Sequence, residues 1–197
     1  MKICGLTGGV GMGKSTAAGF FLARGARVVD TDDLARQLVQ PGQSALAEIQ
    51  ATFGQQLLAS NGELQRNELA RIVFADETAR RKLEAILHPR ILECCQNQLA
   101  VWRAENCPLA VVVIPLLFET RAEDQFDRIV CCACSPAAQA ERLQARGWSP
   151  EQIRQRIAAQ LPVEQKIARS HFVLWTEGAV DNLQRQVTLV SARLENA

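Results

Sequence analysis

The stretch from Gly8 to Thr16 reads Gly-Gly-Val-Gly-Met-Gly-Lys-Ser-Thr, and it constrains the fold more than any other part of the chain. It fits the pattern G-x-x-x-x-G-K-[ST] with Gly8, Gly13, Lys14 and Ser15, between a short apolar run and a helical pattern. Glycines let backbone N–H groups come close to an anion, and the start of a helix directs further N–H groups at it. We therefore predict a phosphate-binding loop for a nucleoside triphosphate rather than a simple glycine-rich turn.

Separate roles follow from the residue types in this loop. The Lys14 ammonium is suited to neutralise the β- and γ-phosphates, and the Ser15 hydroxyl is a suitable ligand for Mg²⁺. A nucleoside triphosphate and Mg²⁺ are therefore the expected ligands. The residues predicted to bind the nucleotide are Gly9, Val10, Gly11, Met12, Gly13, Lys14, Ser15 and Thr16.

The composition argues against several classes of protein. The formal net charge of the 197 residues is +1, so no overall field favours nucleic acid or an anionic membrane surface. The longest apolar run, from Leu109 to Phe118, is interrupted by Pro115 and is too short to span a bilayer. Seven cysteines and no signal-like segment make a disulfide framework unexpected. We predict a single cytoplasmic domain with no nucleic-acid or membrane partner.

Five short apolar segments predict the strands of a sheet. Most are continuously apolar, as strands covered on both faces tend to be, and helical patterns separate them. This alternation is typical of an α/β protein with a parallel sheet and right-handed crossovers. The predicted strands are Lys2–Leu6, Ala26–Asp30, Leu109–Ile114, Arg128–Cys134 and Phe172–Trp175.

Two helical excursions interrupt this alternation. The first, between residues 32 and 108, is too long for one crossover, and a long helix within it is predicted to break near His88-Pro89. Its predicted helices are Leu34–Val39, Ser44–Phe53, Asn67–Phe74 and Glu77–Asn106. We predict a core at about 1–58, 108–135 and 161–197, a helical substrate-binding insertion at about 59–107, and a helical lid at about 136–160.

Carboxylates follow the second predicted strand in the run Asp30-Thr31-Asp32-Asp33. The carboxyl ends of parallel strands share the sheet edge where open α/β folds bind ligands, and Asp30 and Asp32 face the same way if the chain stays extended. Asp32 is the predicted catalytic carboxylate and a ligand of Mg²⁺, directly or through water. The alternative is that Thr31 or Asp32 caps the next helix. For Asp30 and Asp33, the sequence does not favour a functional role over a structural one.

The third predicted strand runs into Pro115, at a place where many phosphate-loop enzymes have a metal-binding aspartate. The nearest acid is Glu119. A solvated helical position is favoured for it, because charged side chains are mostly exposed.

Arg142 and Arg146 are spaced i, i+4 in the predicted helix Ala137–Arg146, so they share one helix face. On a closing helix they would clamp the transferring phosphates. Taken alone, the pair is more typical of a solvated face, which Glu141 nearby supports.

Cysteines and histidines give weaker signals. Cys131 and Cys134 have C-x-x-C spacing, but within a strand they point to opposite faces, so apolar packing is favoured over a metal site. For His88, a structural polar contact is favoured over a ligand contact when the residue is considered alone. His171 opens the last strand, and no catalytic role is predicted for it.

Several motifs stand in an order that is more particular than the phosphate loop, which a vast superfamily shares. They are Leu6–Thr16, Val29–Asp32, Leu64–Arg66, Leu87–Pro89, Pro115–Glu119, Ser135–Gln139 with Arg142 and Arg146, and Arg156 with Gln160. On these motifs, nearly the whole chain resembles the dephospho-CoA kinase family.

The resemblance implies a P-loop kinase core with a five-stranded parallel sheet flanked by helices, an inserted helical CoA-binding domain and a helical lid. It implies ATP-dependent phosphorylation of the ribose 3′-hydroxyl of dephospho-CoA, the last step of coenzyme A biosynthesis. Asp32, Lys14 and Arg142 take the catalytic roles by resemblance, and Arg146 joins the nucleotide-binding residues. The implied substrate-binding residues are Asp32, Leu64, Arg66, His88 and Pro89. We expect a monomer or a weak homo-oligomer.

Two departures from the family pattern carry their own expectations. Met12 stands where a small residue is common, and its side chain is expected to point outward. Thr176-Glu177-Gly178 replaces an Asn-rich turn, so backbone groups and apolar packing are expected to contact adenine. The alternative functions are another P-loop kinase of nucleotides or small metabolites, and a GTP-dependent switch, whose Asn-Lys-x-Asp motif the sequence lacks.

Overall fold

The computed structural model describes residues 1–195, and within that range the chain forms one five-stranded parallel sheet. The strands are β1 (Lys2–Gly8), β2 (Arg27–Asp30), β3 (Leu109–Val113), β4 (Arg128–Ala133) and β5 (Phe172–Trp175). They lie in the order β2-β3-β1-β4-β5, and every neighbouring pair is parallel. The predicted α/β class and five-stranded parallel sheet are confirmed.

Nine α-helices lie within the same described range. They are α1 (Lys14–Ala23), α2 (Thr31–Leu38), α3 (Ser44–Phe53), α4 (Arg66–Ala75), α5 (Glu77–Ala104), α6 (Pro136–Gln144), α7 (Pro150–Ala158), α8 (Val163–Ala168) and α9 (Val180–Glu195). Short 3-10 turns occur at Gln55–Leu57 and Glu123–Gln125. Between residues 1 and 195, no helix is both long and apolar enough to cross a membrane.

All five predicted strands are present, and β5 has its predicted bounds. β1 is longer than predicted because its pairing with β4 continues through Thr7 opposite Cys131 and Gly8 opposite Cys132. β3 is buried along its whole length, as expected of a strand covered on both faces. The ladder therefore carries β1 directly to the first glycine of the phosphate loop.

Residues 1–30 and those from 102 onward form one compact unit, which contains the whole sheet. Its main core packs α1 and α9 against the sheet through apolar side chains that include Leu6, Phe21, Val187 and Leu194. Phe21 is fully buried, so this core fixes α1 and with it the end of the loop.

The second compact unit spans Thr31–Val101 and has a core of its own. That core consists of Val39, Ala45, Ile49, Leu57, Leu69 and Ile86, with further partly buried apolar residues packed on it. A turn lies at Asn61-Gly62, where Ala59 N–H donates to Glu63 O and Glu63 N–H donates to the Asn61 side chain. The predicted division into core, insertion and lid stays a prediction.

α5 runs unbroken through Pro89, so the predicted break near His88-Pro89 is wrong. Proline lacks the N–H that would bond to the preceding turn, and its ring crowds that turn. The Arg90 side chain lies one residue further on and donates to Ile86 O at 2.6 Å, while it also pairs with Glu48. A carbonyl beside the proline therefore gains a charged donor, which compensates for the local disturbance.

α2 begins at Thr31, immediately after β2 ends at Asp30. The chain therefore does not stay extended through Asp32, and the expected shared orientation of Asp30 and Asp32 on an extended segment is wrong. Asp32 and Asp33 lie in the first turn of α2. Acidic residues are favourable there, because the unpaired N–H groups at a helix start carry partial positive charge. The alternative in which Thr31 or Asp32 caps a helix beginning at Leu34 is wrong as well.

Candidate active site

The phosphate loop connects β1 to α1 through glycines with backbone angles that other residues rarely adopt. Gly11 has φ 75° and Gly13 has φ 78°, both in the left-handed region. At Gly8, with φ 140°, an added Cβ would lie 2.3 Å from the backbone oxygen of Cys132. Substituting Gly8 would therefore push β1 away from β4 at the entrance to the loop.

Lys14 lies at the start of α1, and its side chain folds back over the loop. Its Nζ donates to Gly8 O and to Gly9 O, at 2.9 Å each. Ser15 and Thr16 follow in the first helical turn with exposed side chains. The loop thus presents an ammonium, two hydroxyls and the N-terminus of a helix together, which is the donor set that a polyphosphate needs.

The next three loop carbonyls face donors from distant parts of the chain. Gln139 Nε2 donates to Val10 O at 2.7 Å, and Thr176 Oγ1 donates to Met12 O at 3.2 Å. Arg142 Nη1 lies 3.5 Å from Gly11 O. Together with the two Lys14 contacts, each of the five successive carbonyls from residue 8 to residue 12 faces a side-chain donor.

These contacts decide which way the loop amides point. In a planar trans peptide the C=O and the following N–H point in opposite directions. Because the Val10 and Met12 carbonyls are turned towards Gln139 and Thr176, the N–H groups of Gly11 and Gly13 point away from those side chains. Backbone N–H groups left available in this way can bind an anion, whereas the Met12 N–H between them donates to Gly9 O at 3.2 Å.

Arg142 lies on α6 and is anchored to the segment after β5. Its Nη1 donates to Thr176 Oγ1 at 2.9 Å and its Nη2 to Thr176 O at 2.5 Å. Ser135 caps α6 by accepting from Ala138 N–H, as its Ser-Pro sequence allows. The structure therefore places the Arg142 guanidinium at the rim of the phosphate loop.

Arg146 does not share a helix face with Arg142, so the predicted helix Ala137–Arg146 is wrong at its end. α6 stops at Gln144, and Arg146 is exposed in the turn before Gly147, whose φ of 82° closes that turn. A left-handed glycine is a common helix terminator, since it directs the last N–H groups back to the final carbonyls. The nucleotide-binding role of Arg146 stays a prediction.

Met12 points inward, so the expectation of an outward side chain is wrong. The residue is 3% exposed, and its Sδ lies 2.9 Å from the position that a Cβ at Gly9 would occupy. The absence of a side chain at Gly9 leaves space for the thioether, which is long and flexible enough to fill it. Met12 therefore packs beneath the loop instead of contacting solvent.

Glu119 is exposed, as predicted, but it lies in a turn rather than a helix, and its carboxylate is bound by other parts of the chain. One of its carboxylate oxygens, Oε1, accepts from Leu161 N–H at 2.8 Å and lies 2.8 Å from Lys166 Nζ. Lys166 is completely buried and also donates to Pro115 O at 2.8 Å. Sequence reasoning missed Lys166, because a lysine in a short helix is normally assigned to the surface.

Asp32 and the implied substrate residues belong to the unit Thr31–Val101. Asp32 is exposed in the first turn of α2. Leu64 is partly buried against the core of that unit, and Arg66 at the start of α4 donates to Arg36 O at 3.4 Å. His88 and Pro89 are exposed on α5. Their roles in binding substrate stay predictions.

The cysteines of β4 are enclosed, as expected of small apolar residues. Burial raises the pKa of Cys131 to about 11, against the opposing charges of Lys166 and Lys14. Burial also raises the pKa of Cys132. These thiols stay protonated at neutral pH and are unsuited to nucleophilic or redox chemistry.

Among the residues that the structure describes, no three His, Cys, Asp or Glu side chains are grouped as ligands for a metal ion. Mg²⁺ does not need such a cage, since it retains several waters and binds nucleotide phosphates through one or two protein ligands. The exposed Ser15 hydroxyl beside the loop is a donor of the right kind. The residues present therefore fit an Mg²⁺ ion that arrives with the nucleotide.

Comparison with known proteins assigns the family. Residues 2–182 match the family model described as dephospho-CoA kinase. The chain is 46% identical over 184 residues to a dephospho-CoA kinase of Anaeromyxobacter dehalogenans, covering 93% of this chain and 87% of that protein. A crystal structure of TT1252 from Thermus thermophilus matches with a TM-score of 0.83 and 32% identity over 98% of this chain and 97% of that one. A dephospho-CoA kinase structure from Campylobacter jejuni has a TM-score of 0.71 at 22% identity, with 98% and 97% coverage, and supports the fold.

Proposed function

Because the chain belongs to the dephospho-CoA kinase family, we propose that it transfers the γ-phosphoryl group of ATP to the ribose 3′-hydroxyl of dephospho-CoA. The observation that carries this proposal is the family match across residues 2–182. The products are ADP and coenzyme A, so the reaction completes coenzyme A biosynthesis. The phosphate loop, with Lys14 folded over it, supplies the features that this reaction requires on the donor side.

The chemical step we propose is an in-line attack of the 3′-hydroxyl oxygen on the γ-phosphorus, with the β-phosphate oxygen leaving. Such a transition state is loose and spreads negative charge over the phosphoryl oxygens. Lys14 and the N–H groups of the loop stabilise that charge, since they are held in place before the reaction. The residues that contact the nucleotide in this proposal are Gly9, Val10, Gly11, Met12, Gly13, Lys14, Ser15, Thr16 and Arg146.

Mg²⁺ bound with ATP neutralises phosphate charge, and Ser15 is the residue that we propose as its protein ligand, with Asp32 a second one directly or through water. Arg142 supports the same phosphates from the rim of the loop, where its anchorage to Thr176 holds the guanidinium. A guanidinium fixed in this way stabilises developing charge without the cost of first becoming ordered.

Asp32 orients the acceptor hydroxyl and accepts its proton in this proposal. The carboxylate is exposed, and its residue follows the carboxyl end of β2 by two positions in the chain. Leu64, Arg66, His88 and Pro89 recognise the CoA portion of the acceptor, with Arg66 supplying positive charge for its phosphates.

A purified-protein assay of ADP release with MgATP tests the function directly. We expect ADP release to depend on dephospho-CoA and not on AMP, CMP or shikimate. The new phosphate should be found on the ribose 3′-oxygen by phosphorus NMR. Absence of any acceptor-dependent ADP release would overturn the proposal.

The role of Asp32 has its own test. Asp32→Asn keeps the shape of the side chain but removes the proton acceptor, so we expect kcat to fall about 10²-fold or more with ATP affinity retained. The neighbouring Asp33→Asn is the matched control, because the Asp33 carboxylate already pairs with Arg36 on the surface of α2. Turnover of Asp32→Asn close to wild type would remove Asp32 from the catalytic role.

Assembly and location complete the proposal. We propose a monomer or a weak homo-oligomer in the cytoplasm, with dephospho-CoA as its small-molecule partner. Light scattering of the purified protein over a range of concentrations measures the assembly state.

A further inference from the structure

The backbone of Val10 is hydrogen-bonded on both sides by glutamine side chains. Gln139 Nε2 donates to Val10 O at 2.7 Å, and Val10 N–H donates to Gln160 Oε1 at 2.8 Å. Neither glutamine belongs to the phosphate-loop motif, and each lies more than 120 residues along the chain from Val10.

The two glutamines make opposite kinds of hydrogen bond with this residue: Gln139 donates and Gln160 accepts. A backbone carbonyl can only accept a hydrogen bond, so the Gln139 atom that faces it must be the amide nitrogen. A backbone N–H can only donate, so the Gln160 atom that faces it must be the amide oxygen. This assignment follows from the chemistry of the backbone and leads to opposite responses to substitution.

Gln139 and Gln160 lie at the two ends of the segment that contains α6 and α7. Gln139 is on α6 and is 5% exposed, while Gln160 follows the end of α7. The next residue, Leu161, donates its N–H to Glu119, which pairs with the buried Lys166. The Gln160 end is thus anchored both to the loop and to the segment after β3.

The contacts on Val10 fix two successive peptide planes of the loop. Gln160 sets the plane between Gly9 and Val10, and Gln139 sets the plane between Val10 and Gly11. The second plane determines the direction of the Gly11 N–H, one of the amides turned away from α6. A donor that is already oriented binds an anion more tightly, because less ordering remains to be done on binding.

We propose that Gln139 and Gln160 are positioning residues that hold the Val10 backbone so that the loop amides are oriented for the ATP phosphates. This proposal rests on the assignment of the loop as the ATP site. The two residues touch the loop and not the reacting atoms, so they act through Val10.

The test measures ADP binding by calorimetry, without any acceptor. Gln139→Met and Gln160→Met keep the length of the side chain but remove its polar atoms, and each is expected to raise the Kd for ADP about tenfold. The double variant should show much less than the product of the two single effects, because both glutamines act on the same residue. Gln144→Met, at an exposed position of α6, is the control and should leave the Kd within twofold of wild type.

Glutamate substitutions separate this role from simple packing. Gln160→Glu retains an acceptor for the Val10 N–H, so the thermal midpoint of the nucleotide-free protein should stay near that of wild type. Gln139→Glu sets a carboxylate oxygen against the Val10 carbonyl oxygen, so its midpoint should fall by several degrees. The Gly11 amide signal should shift in a ¹H–¹⁵N spectrum, because that N–H shares a peptide plane with the Val10 carbonyl. Equal behaviour of the two glutamate variants, or ADP affinities of both methionine variants within twofold of wild type, would overturn the proposal.

These outcomes are distinguishable from failure of the proposed function. If the protein binds ADP but phosphorylates no acceptor, the proposed function is refuted. The ADP affinities of the glutamine variants still test whether Gln139 and Gln160 position the Val10 backbone. A wild-type protein that binds no ADP overturns both.

Discussion

In the phosphate loop, residues 8–12 are held by polar contacts, and some of the donors are far away in the chain, as with Thr176 and Met12, 164 positions apart. The unit Thr31–Val101 is built differently. Its core is an apolar cluster around Ile49 and Leu57, and its polar contacts are largely local, such as those of Gln65 with the carbonyls of Gln56 and Leu58. One region depends on the identity of individual donors, and the other depends on filled volume.

This difference predicts two classes of substitution. Removing a donor from the loop should damage ATP binding and turnover while the protein stays folded, because the sheet and its core are intact. Removing volume from the core of the helical unit should reduce stability while the chemistry of the loop is preserved. The following predictions test that separation in order of expected effect.

Lys14→Ala should have the largest effect. The ammonium that spans Gly8 O and Gly9 O is lost together with its charge on the phosphates, so we expect kcat/KM for ATP to fall about 10⁴-fold, as for other charges that stabilise phosphoryl transfer. Steady-state kinetics measure the loss, and circular dichroism checks the fold. Lys82→Ala, at an exposed position of α5, is the control. Unfolding of Lys14→Ala at room temperature would contradict the separation of the two regions.

Ile49→Ala should destabilise the helical unit by about 3 kcal/mol, because it removes three carbons from a fully buried site. Urea unfolding measures this change in the free energy of unfolding. At low temperature the KM for ATP should remain near wild type. Val101→Ala removes carbons from a residue that is 50% exposed, and it should change stability by less than about 0.5 kcal/mol. A large change in the ATP KM of folded Ile49→Ala would show that the two regions are not separable.

Arg66→Ala should affect only the acceptor. We expect the KM for dephospho-CoA to rise about tenfold, corresponding to loss of one charge-assisted contact of roughly 1.4 kcal/mol, with the KM for ATP unchanged. Initial-rate kinetics with each substrate varied in turn measure both values. Arg71→Ala on the same helix, whose side chain pairs with Glu68, is the matched control. Equal effects of the two variants would remove Arg66 from acceptor recognition.

Replacing the Glu177 carboxylate should have the smallest effect, a change in how the stability of the fold depends on pH. Its carboxylate accepts from Ser135 N–H at 3.0 Å, and this bond holds the pKa of Glu177 below its ordinary value of 4.5. The folded pKa is therefore lower than the unfolded one. The stabilisation is complete above the unfolded pKa and is lost as the pH falls through the folded pKa.

Thermal midpoints of wild type and Glu177→Gln measure this contribution. The wild type should be slightly more stable at pH 7, and the difference should shrink as the pH falls from about 5 to 3. A difference that is constant across that range would show that the charge of Glu177 is not involved.

The parts of the fold that the sequence predicts well are those that local pattern determines. The five strands are mostly continuous apolar runs, and the loop glycines occupy positions where φ is positive, so short stretches of sequence suffice to predict both. The start of α7 is also determined locally, because Ser149 and Gln152 form a reciprocal cap there.

The predictions that failed depended on side-chain contacts that the local sequence pattern does not specify. Pro89 stays within α5, where the neighbouring Arg90 donates to a carbonyl of the preceding turn and pairs with Glu48, 42 positions away. Met12 turns inward because Gly9 leaves room for its thioether, which nothing in the loop pattern indicates. Gln139 and Gln160 stand out in the sequence only as parts of family motifs, since an amide side chain carries no charge or metal preference that would mark it.

Because Lys166 is buried, the reactivity of its amine reports local opening of the structure around it. The sequence contains only four lysines, at positions 2, 14, 82 and 166. Acylating reagents attack an amine only where it is accessible and neutral, so Lys82 should react at once while Lys166 is protected by burial and by its contacts with Glu119 and Pro115. The ratio of acylated Lys166 to acylated Lys82, read by mass spectrometry, therefore follows the fraction of molecules that have opened around the end of β3. No substitution in the chain is required.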